Sequence, residues 1–162
     1  MESRAKVLGH PIHQMLVPLP VGLLVMAVVF DVLSLVFGWD LGRVSFWNIV
    51  AGILTGLLAA VFGLVDFLGI PAGTRARRIG LAHGLGNVLL IALFAAAVLL
   101  RWDEPGRALT TPAFVLELLG LAVGGTTAWL GGELVDRLGV GVDDGANLNA
   151  PSSLTHRSAR KA

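Results

Sequence analysis

Cysteine is absent from the 162 residues. That excludes disulfides, cysteine-ligated iron–sulfur clusters, covalent c-type haem attachment and thiol nucleophiles together. Charge is scarce as well: 14% of residues are charged and 55% hydrophobic, with a mean hydropathy of +0.79. Such a composition belongs in a bilayer. The formal net charge is +1, and the arginines are scattered between apolar runs without forming a basic face, so no nucleic acid is expected as a partner. There is no glycine-rich phosphate loop, no HExxH, no Ser-His-Asp order and no sizeable soluble stretch. Hydrolytic and nucleotide-dependent catalysis therefore lack their residues. Any metal chemistry falls to histidine and carboxylate.

What is present is four long apolar runs, about Leu16 to Phe37, Phe46 to Ile70, Ile79 to Leu100 and Pro112 to Val135. A bilayer core of ~30 Å takes roughly 20 helical residues, so each run predicts a transmembrane helix. Gly38 and Gly42, Pro71 and Gly73, and Pro105 and Gly106 punctuate the runs. The short connections imply antiparallel neighbours, and the expected fold is an all-α, four-transmembrane-helix antiparallel bundle. The first run is too long for a signal h-region, and no small-residue cleavage site follows it, so it is expected to stay as a helix.

An alternating path puts Arg4, Lys6, Arg75, Arg77, Arg78, Arg137, Arg157, Arg160 and Lys161 on one side and only Arg43, Arg101 and Arg107 on the other. The positive-inside rule then makes both termini cytoplasmic. Trp39, Trp47 and Trp102 fall at helix ends on the opposite side, as interfacial rings do. Three segments result: 1–15, an N-terminal cytoplasmic or interfacial piece; 16–142, the membrane domain; and 143–162, a polar, basic tail read as disordered.

Small residues line two runs: Gly52, Gly56, Ala59 and Gly63 lead to Asp66, and Gly120, Gly124, Thr127 and Gly131 follow Glu117. Such lines let helix backbones approach closely, in the bundle or in a homodimer. No repeat between the two halves is evident, which leaves an inverted-repeat transporter unsupported.

The segments HPIHQMLVPLPVGLL, GLVDFLGIPAGTRARRIGLAHGLGN and WLGGELVDRLGVGV together resemble a bacterial membrane family known as the domain of unknown function 2231, over about residues 9 to 142. The resemblance implies a four-helix integral protein of the bacterial inner membrane. Some relatives are fused to Rieske-type iron–sulfur modules, which implies an electron-transfer setting and a redox protein partner. The chain departs from relatives at Gln14, Asp136 and Leu138, where they carry proline, tyrosine and histidine.

Antiparallel threading brings His10, His13, Asp66, His83, Asn87, Glu133 and Asp136 to one level at the cytoplasmic side. His13 and His83 are candidate axial ligands of a b-type haem, with His10 nearby. Alternatively His10, His13 and His83, with Asp66 or Glu133, form a candidate divalent metal site. The plain alternative is a structural polar cluster, with Glu133 paired to Arg137 and Asp66 neutralised by Arg75, Arg77 or Arg78. Near the other side Asp31 and Glu117 sit at similar depth and, with Asp66, are candidates for a proton path. Arg101 is the cation nearest them in level, and pairing with it is the expected arrangement. Three functions follow: a redox-cofactor protein, a small proton or metal-ion transporter, or a non-catalytic assembly subunit. Finally, Pro18 and Pro20 are expected to interrupt the first helix beside the histidines.

Overall fold

A computed structural model of the chain describes residues 1–155 and 157; Arg160 and Lys161, at the end of the basic tail, lie outside the described residues. After a hairpin of two short strands, β1 (Lys6–Val7) and β2 (His10–Pro11), every long element is a helix: α1 (Ile12–Leu16), α2 (Pro18–Phe37), α3 (Gly42–Gly69), α4 (Arg75–Arg101) and α5 (Thr111–Gly132). They make four spans of 26, 28, 27 and 33 residues, each long and apolar enough to cross a membrane.

Local chemistry explains the boundaries. Pro18 and Pro20 bring no N–H, so the carbonyls of Gln14 and Leu16 lose their helical donors and α1 stops before α2 begins. The Val17 amide still reaches the His13 carbonyl at 3.1 Å. At its other end α2 closes on Gly38, whose φ of +69° suits a residue without Cβ, with its amide on Ser34 O at 3.0 Å. Helix α4 starts at Arg75, ahead of the apolar run, because Thr74 caps it: the Thr74 hydroxyl oxygen accepts from the Arg77 amide at 3.1 Å. Thr110 caps α5 in the same manner. Past Gly132 the coil widens into a π-helical turn, Glu133–Arg137, with Leu138 N bonded to Glu133 O at 3.2 Å.

The interior is small and the surface apolar. Leu24, Ala27, Val28, Phe46, Ile49, Phe94 and Val98 form the buried core. By contrast Leu35, Leu54, Leu58, Leu85, Val88 and Leu99 stand exposed along the spans. An apolar mantle of this extent is matched by acyl chains, so a lipid bilayer is the environment of this multi-pass chain. The pairs α2–α3 and α4–α5 pack most intimately, α3 packs on α4, and α5 closes the ring against α2.

The N-terminus and the described start of the C-terminal tail lie at one end of the bundle. The Met1 ammonium donates to Gly139 O at 2.9 Å and Met1 O accepts from the Gly141 amide at 2.9 Å. Lys6 bridges Glu2, at 2.8 Å, and Asp143. The described part of the tail folds back until Ser153 reaches His10. Hydrogen bonds to Asp143 and then Glu2 raise the Lys6 pKa, and the bond from Lys6, with that from the Asp144 amide, lowers that of Glu2. A raised ammonium pKa contributes stability that is lost as pH climbs through the raised value; a lowered carboxyl pKa contributes stability that is lost as pH falls through the lowered value. The clasp between head and tail is thus expected to hold at neutral pH and loosen at both extremes. Faster proteolysis of residues 1–9 in acid and in alkali would register it.

Candidate functional site

The most enclosed polar group is at the end of the bundle opposite the termini. Asp31 comes from α2, Ser45 from the first turn of α3, Arg101 from the last position of α4 and Glu117 from α5, and all four are fully buried. Asp31 follows Ala27 by one helical turn on the inward face, and Glu117 precedes Gly120 on the stripe that meets α4. Arg101 ends its helix, where a cation suits the carbonyl end of the macrodipole.

From Arg101, Nη1 donates to Asp31 Oδ2 at 2.8 Å, to Glu117 Oε1 at 2.8 Å and to Ser45 Oγ at 3.2 Å. Nη2 donates to Asp31 Oδ1 at 3.1 Å, Gly42 O at 3.0 Å and Arg107 O at 3.1 Å, and Nε to Arg107 O at 3.2 Å. The Ser45 hydroxyl in turn donates to Asp31 Oδ2. Arg107 is turned inward by the Pro105–Arg107 coil, where Gly106 has φ +64°, and its own guanidinium lies over Phe46 and Trp102. Above this lid is a polar cleft lined by Arg43, Trp102, Asp103, Glu104, Gly106 and Arg107.

The charge does not balance. A guanidinium stays cationic at any pH the protein meets, so two ionised carboxylates would leave one net negative charge in the bundle. Glu117 Oε2 is, among the described residues, the one buried side-chain oxygen or nitrogen without a hydrogen-bond partner. A cluster with one cation, two acids and one unpaired oxygen can hold one exchangeable proton.

The residues expected to converge at the terminal end each have hydrogen-bond or ion-pair partners of their own or stand exposed. His10 is exposed on β2, with Nε2 3.5 Å from Ser153 Oγ. His13 lies against α3, its Nδ1 donating to Ala59 O at 2.8 Å. His83 lies against α5, its Nδ1 donating to Thr127 O at 2.8 Å, while Asn87 Nδ2 is 3.1 Å from its Nε2. A carbonyl can only accept, so Nδ1 carries a proton in both rings, and at His83 Nε2 is met by the Asn87 amide. Glu133 pairs with Arg75 at 2.6 Å, across the end of the bundle, rather than with Arg137. Asp136 is exposed. Among the described residues no three His, Asp or Glu side chains gather as a metal-binding group.

Asp66 is engaged by the N-terminal segment and not by the side chain of Arg75, Arg77 or Arg78. Ser3 Oγ donates to its two oxygens at 2.8 Å each, and the Arg4 amide donates at 2.7 Å. Arg77 instead binds the carbonyls of Phe67 and Ile70, its guanidinium 4.0 Å from the Phe67 centroid. Hydrogen bonds to an ionised acceptor contribute about 1.5–3 kcal/mol each when buried. Asp66→Ala is therefore expected to release residues 1–9. Limited proteolysis should become faster there while the helical circular dichroism stays unchanged.

Ser45, Ser3 and the Arg107 carbonyl take part in these sites without having been singled out from the sequence. A serine in the first turn of an apolar run was a readable signal for Ser45; a backbone carbonyl in a loop leaves no such signal.

Against known proteins, the family model DUF2231, described as a predicted membrane protein, matches residues 9–144. No curated protein and no solved structure matches the chain.

Proposed function

The chain belongs to this family of predicted membrane proteins, and on that footing we propose that it is a proton-coupled membrane protein whose working group is the Asp31–Arg101–Glu117 cluster. The observation that carries the reading is Glu117 Oε2, buried and unpartnered beside a guanidinium already bound to a second carboxylate. Ionisable groups at membrane depth are expensive and tend to mark function. One proton on Glu117 makes the cluster neutral; its loss leaves a buried negative charge that Arg101 must share. With the termini on the cytoplasmic side, as the distribution of basic residues favours, the cluster lies near the outer face of a bacterial inner membrane. Its proton would exchange through the polar cleft behind Arg107. Ser45, donating to Asp31, keeps that carboxylate the preferred partner of Arg101 and leaves Glu117 as the acid that changes state.

The test is proton flux in proteoliposomes loaded with a pH-sensitive dye. The parent chain is expected to dissipate an imposed pH gradient, and Glu117→Gln, which keeps shape and polarity but cannot exchange a proton, to slow it at least about tenfold, the scale of a general acid–base group. A parent flux equal to that of protein-free vesicles removes the proposal.

The redox reading keeps one specific support. His13 and His83 each commit Nδ1 to a backbone carbonyl, the arrangement that orients an imidazole for ligation through Nε2, which at His83 would require Asn87 Nδ2 to move away. A b-type haem or a divalent metal held between them would serve an electron-transfer role with a redox protein partner. An absorbance spectrum and metal analysis of protein purified with haem available, beside His83→Ala, decide it: a Soret band or stoichiometric metal lost in the variant supports ligation, and clean protein without either ends it.

A further inference from the structure

The two histidine contacts described above are the same contact made twice. His13 lies over Gly63, where an added methyl would come within 2.9 Å of the ring, and bonds the carbonyl of Ala59, four residues earlier on α3. His83 lies over Gly131, with the corresponding approach at 3.2 Å, and bonds the carbonyl of Thr127, four residues earlier on α5. His83 stands 70 residues after His13, and Gly131 stands 68 after Gly63.

Those two offsets carry through the bundle. Along the first helix of each half the buried positions are Leu24, Ala27, Val28 and Asp31, and then, apart from Gly80 near the start of α4, Phe94, Ala97, Val98 and Arg101. Each of the second four stands 70 residues after its counterpart. Along the second helix, the glycines at 52, 56 and 63 recur as Gly120, Gly124 and Gly131, each 68 residues on. Their contacts match also. A methyl at Gly52 would meet Leu24 at 2.7 Å, and one at Gly120 would meet Phe94, the counterpart of Leu24, at 2.6 Å. Gly56 faces Pro20 and Gly124 faces Leu90, again counterparts. Phe46 and Phe114 are identical at the same offset, and both belong to or pack on the core.

We infer that the chain is a tandem pair of one helical hairpin, α1–α3 and α4–α5, related by a local two-fold axis along the bundle, with the acid cluster built where that symmetry is broken. Both hairpins start at the terminal end, so the repeat is parallel, not inverted. The alternation of neighbours fits: the two-fold operation takes the α3–α4 contact onto the α5–α2 contact, and both are present.

At the cluster the counterparts differ in charge or polarity, as they also do at Asp66 and Leu134 near the other end. Asp31 corresponds to Arg101, so counterparts of opposite charge meet across the axis. Ser45 corresponds to Ala113, and Glu117 to Ile49, all four fully buried. Two unmodified copies of the first hairpin would oppose Asp31 to Asp31, and two copies of the second Arg101 to Arg101. Opposite charges therefore enforce pairing of unlike hairpins within one chain and disfavour exchange of like hairpins between chains. Ser45 and Glu117 add the second acid and the hydroxyl on one side only.

The repeat predicts that the cluster can be transposed. The variant Asp31→Arg, Arg101→Asp, Ser45→Ala, Ala113→Ser, Ile49→Glu, Glu117→Ile moves every group to its counterpart. It is expected to unfold in detergent within about 10 °C of the parent, since a loss of a few kcal/mol shifts a chain of this size by that much. The transposed arginine does forgo the Arg107 carbonyl, so full stability is not expected. The half exchanges Asp31→Arg and Arg101→Asp, which juxtapose like charges, should lose the folded state. A full exchange no better than the half exchanges overturns the inference.

A second measurement does not depend on that variant folding. The chain has no cysteine of its own. An added Cβ at Gly56 stands 3.6 Å from Pro20 Cβ, within the range that a disulfide spans. Pro20→Cys with Gly56→Cys, and the counterpart Leu90→Cys with Gly124→Cys, where Leu90 Cδ1 is the atom within 4 Å and the Cβ stands farther off, should both be joined by a short bis-methanethiosulfonate reagent, while Pro20→Cys with Gly124→Cys should not. Joining of the first pair without the second overturns the repeat. Neither readout involves proton flux, so loss of the proton reading would leave this inference standing, and the reverse holds.

Discussion

Arg101→Met is expected to leave the helices inserted but the bundle unfolded. The substitution strips the cation from two carboxylates with no exposed surface, together with the donors to Gly42 O and Arg107 O. Removing one partner of a buried ion pair costs about 3–5 kcal/mol, and here two acids lose theirs. Set against a usual total of about 5–15 kcal/mol, the loss accounts for most of the stability. The loss should be one of packing and not of helix, because backbone groups in lipid keep their internal bonds whatever the helices do to each other. Near-ultraviolet circular dichroism and size-exclusion behaviour should collapse while far-ultraviolet signal persists. Removing the whole cluster is the control: Arg101→Met with Asp31→Leu, Glu117→Met and Ser45→Ala has no orphaned charge, and apolar replacement of a buried ion group is often neutral or stabilising. Recovery of packing in that variant would assign the first defect to uncompensated charge. An Arg101→Met protein that melts like the parent would mean the cluster contributes no net stability.

That cluster was half legible in the sequence, and the reason is geometric. Hydropathy gives the depth of a residue along the bilayer normal, and depth sufficed to group Asp31, Glu117 and Arg101. It does not give the direction a side chain faces around the bundle, nor what a terminal segment will do. His10, His13, His83, Asp66 and Glu133 share a level, yet the N-terminal hairpin carries His10 outward to Ser153. Ser3 and Arg4 bring donors to Asp66 from a segment with no apolar pattern to announce it. Glu133 faces Arg75 because the helix widens at that point into a π-turn, which rotates it off the line that i, i+4 spacing to Arg137 assumes. The four spans, by contrast, were plain, since a long apolar run in a bilayer has one way to satisfy its backbone. The repeat stayed hidden because the identical counterparts are scattered among many that differ: Asp31 answers Arg101, Ile49 answers Glu117, and Leu24 answers Phe94. What is conserved between the halves is a set of packing relations, and those become visible only once partners are known.

Gly120→Val is the other change expected to act strongly, and it shows why the glycines of this chain are not alike. A Cβ at Gly120 would stand 2.6 Å from Phe94 Cε2 and 2.9 Å from Cδ2, and Phe94 is fully buried. A rigid ring in a filled core has no rotamer to retreat to, so α4 and α5 must separate, along the most intimate helix pair in the bundle. Overpacking of this kind costs about 1–3 kcal/mol and occasionally more, a fall of roughly 2–4 °C in melting temperature for each kcal/mol; Gly120→Val should lie at the high end or fail to fold. Gly52→Val meets Leu24 at a similar 2.7 Å, but a leucine can change rotamer, so the counterpart should be milder. Phe94→Leu should accordingly rescue Gly120→Ala by substituting the first half's solution for the second's. The opposite sign is expected at Gly84 and Gly125, helical positions with nothing within 4 Å of an added methyl. There alanine removes only the conformational disadvantage of glycine, a gain of about 0.5–1 kcal/mol. Thermal unfolding of the four variants side by side separates these cases. If Gly120→Val and Gly125→Ala shifted the melting temperature alike, helix propensity and not interhelical approach would govern, and the close packing of α4 on α5 would have to be abandoned as the source of the bundle's stability.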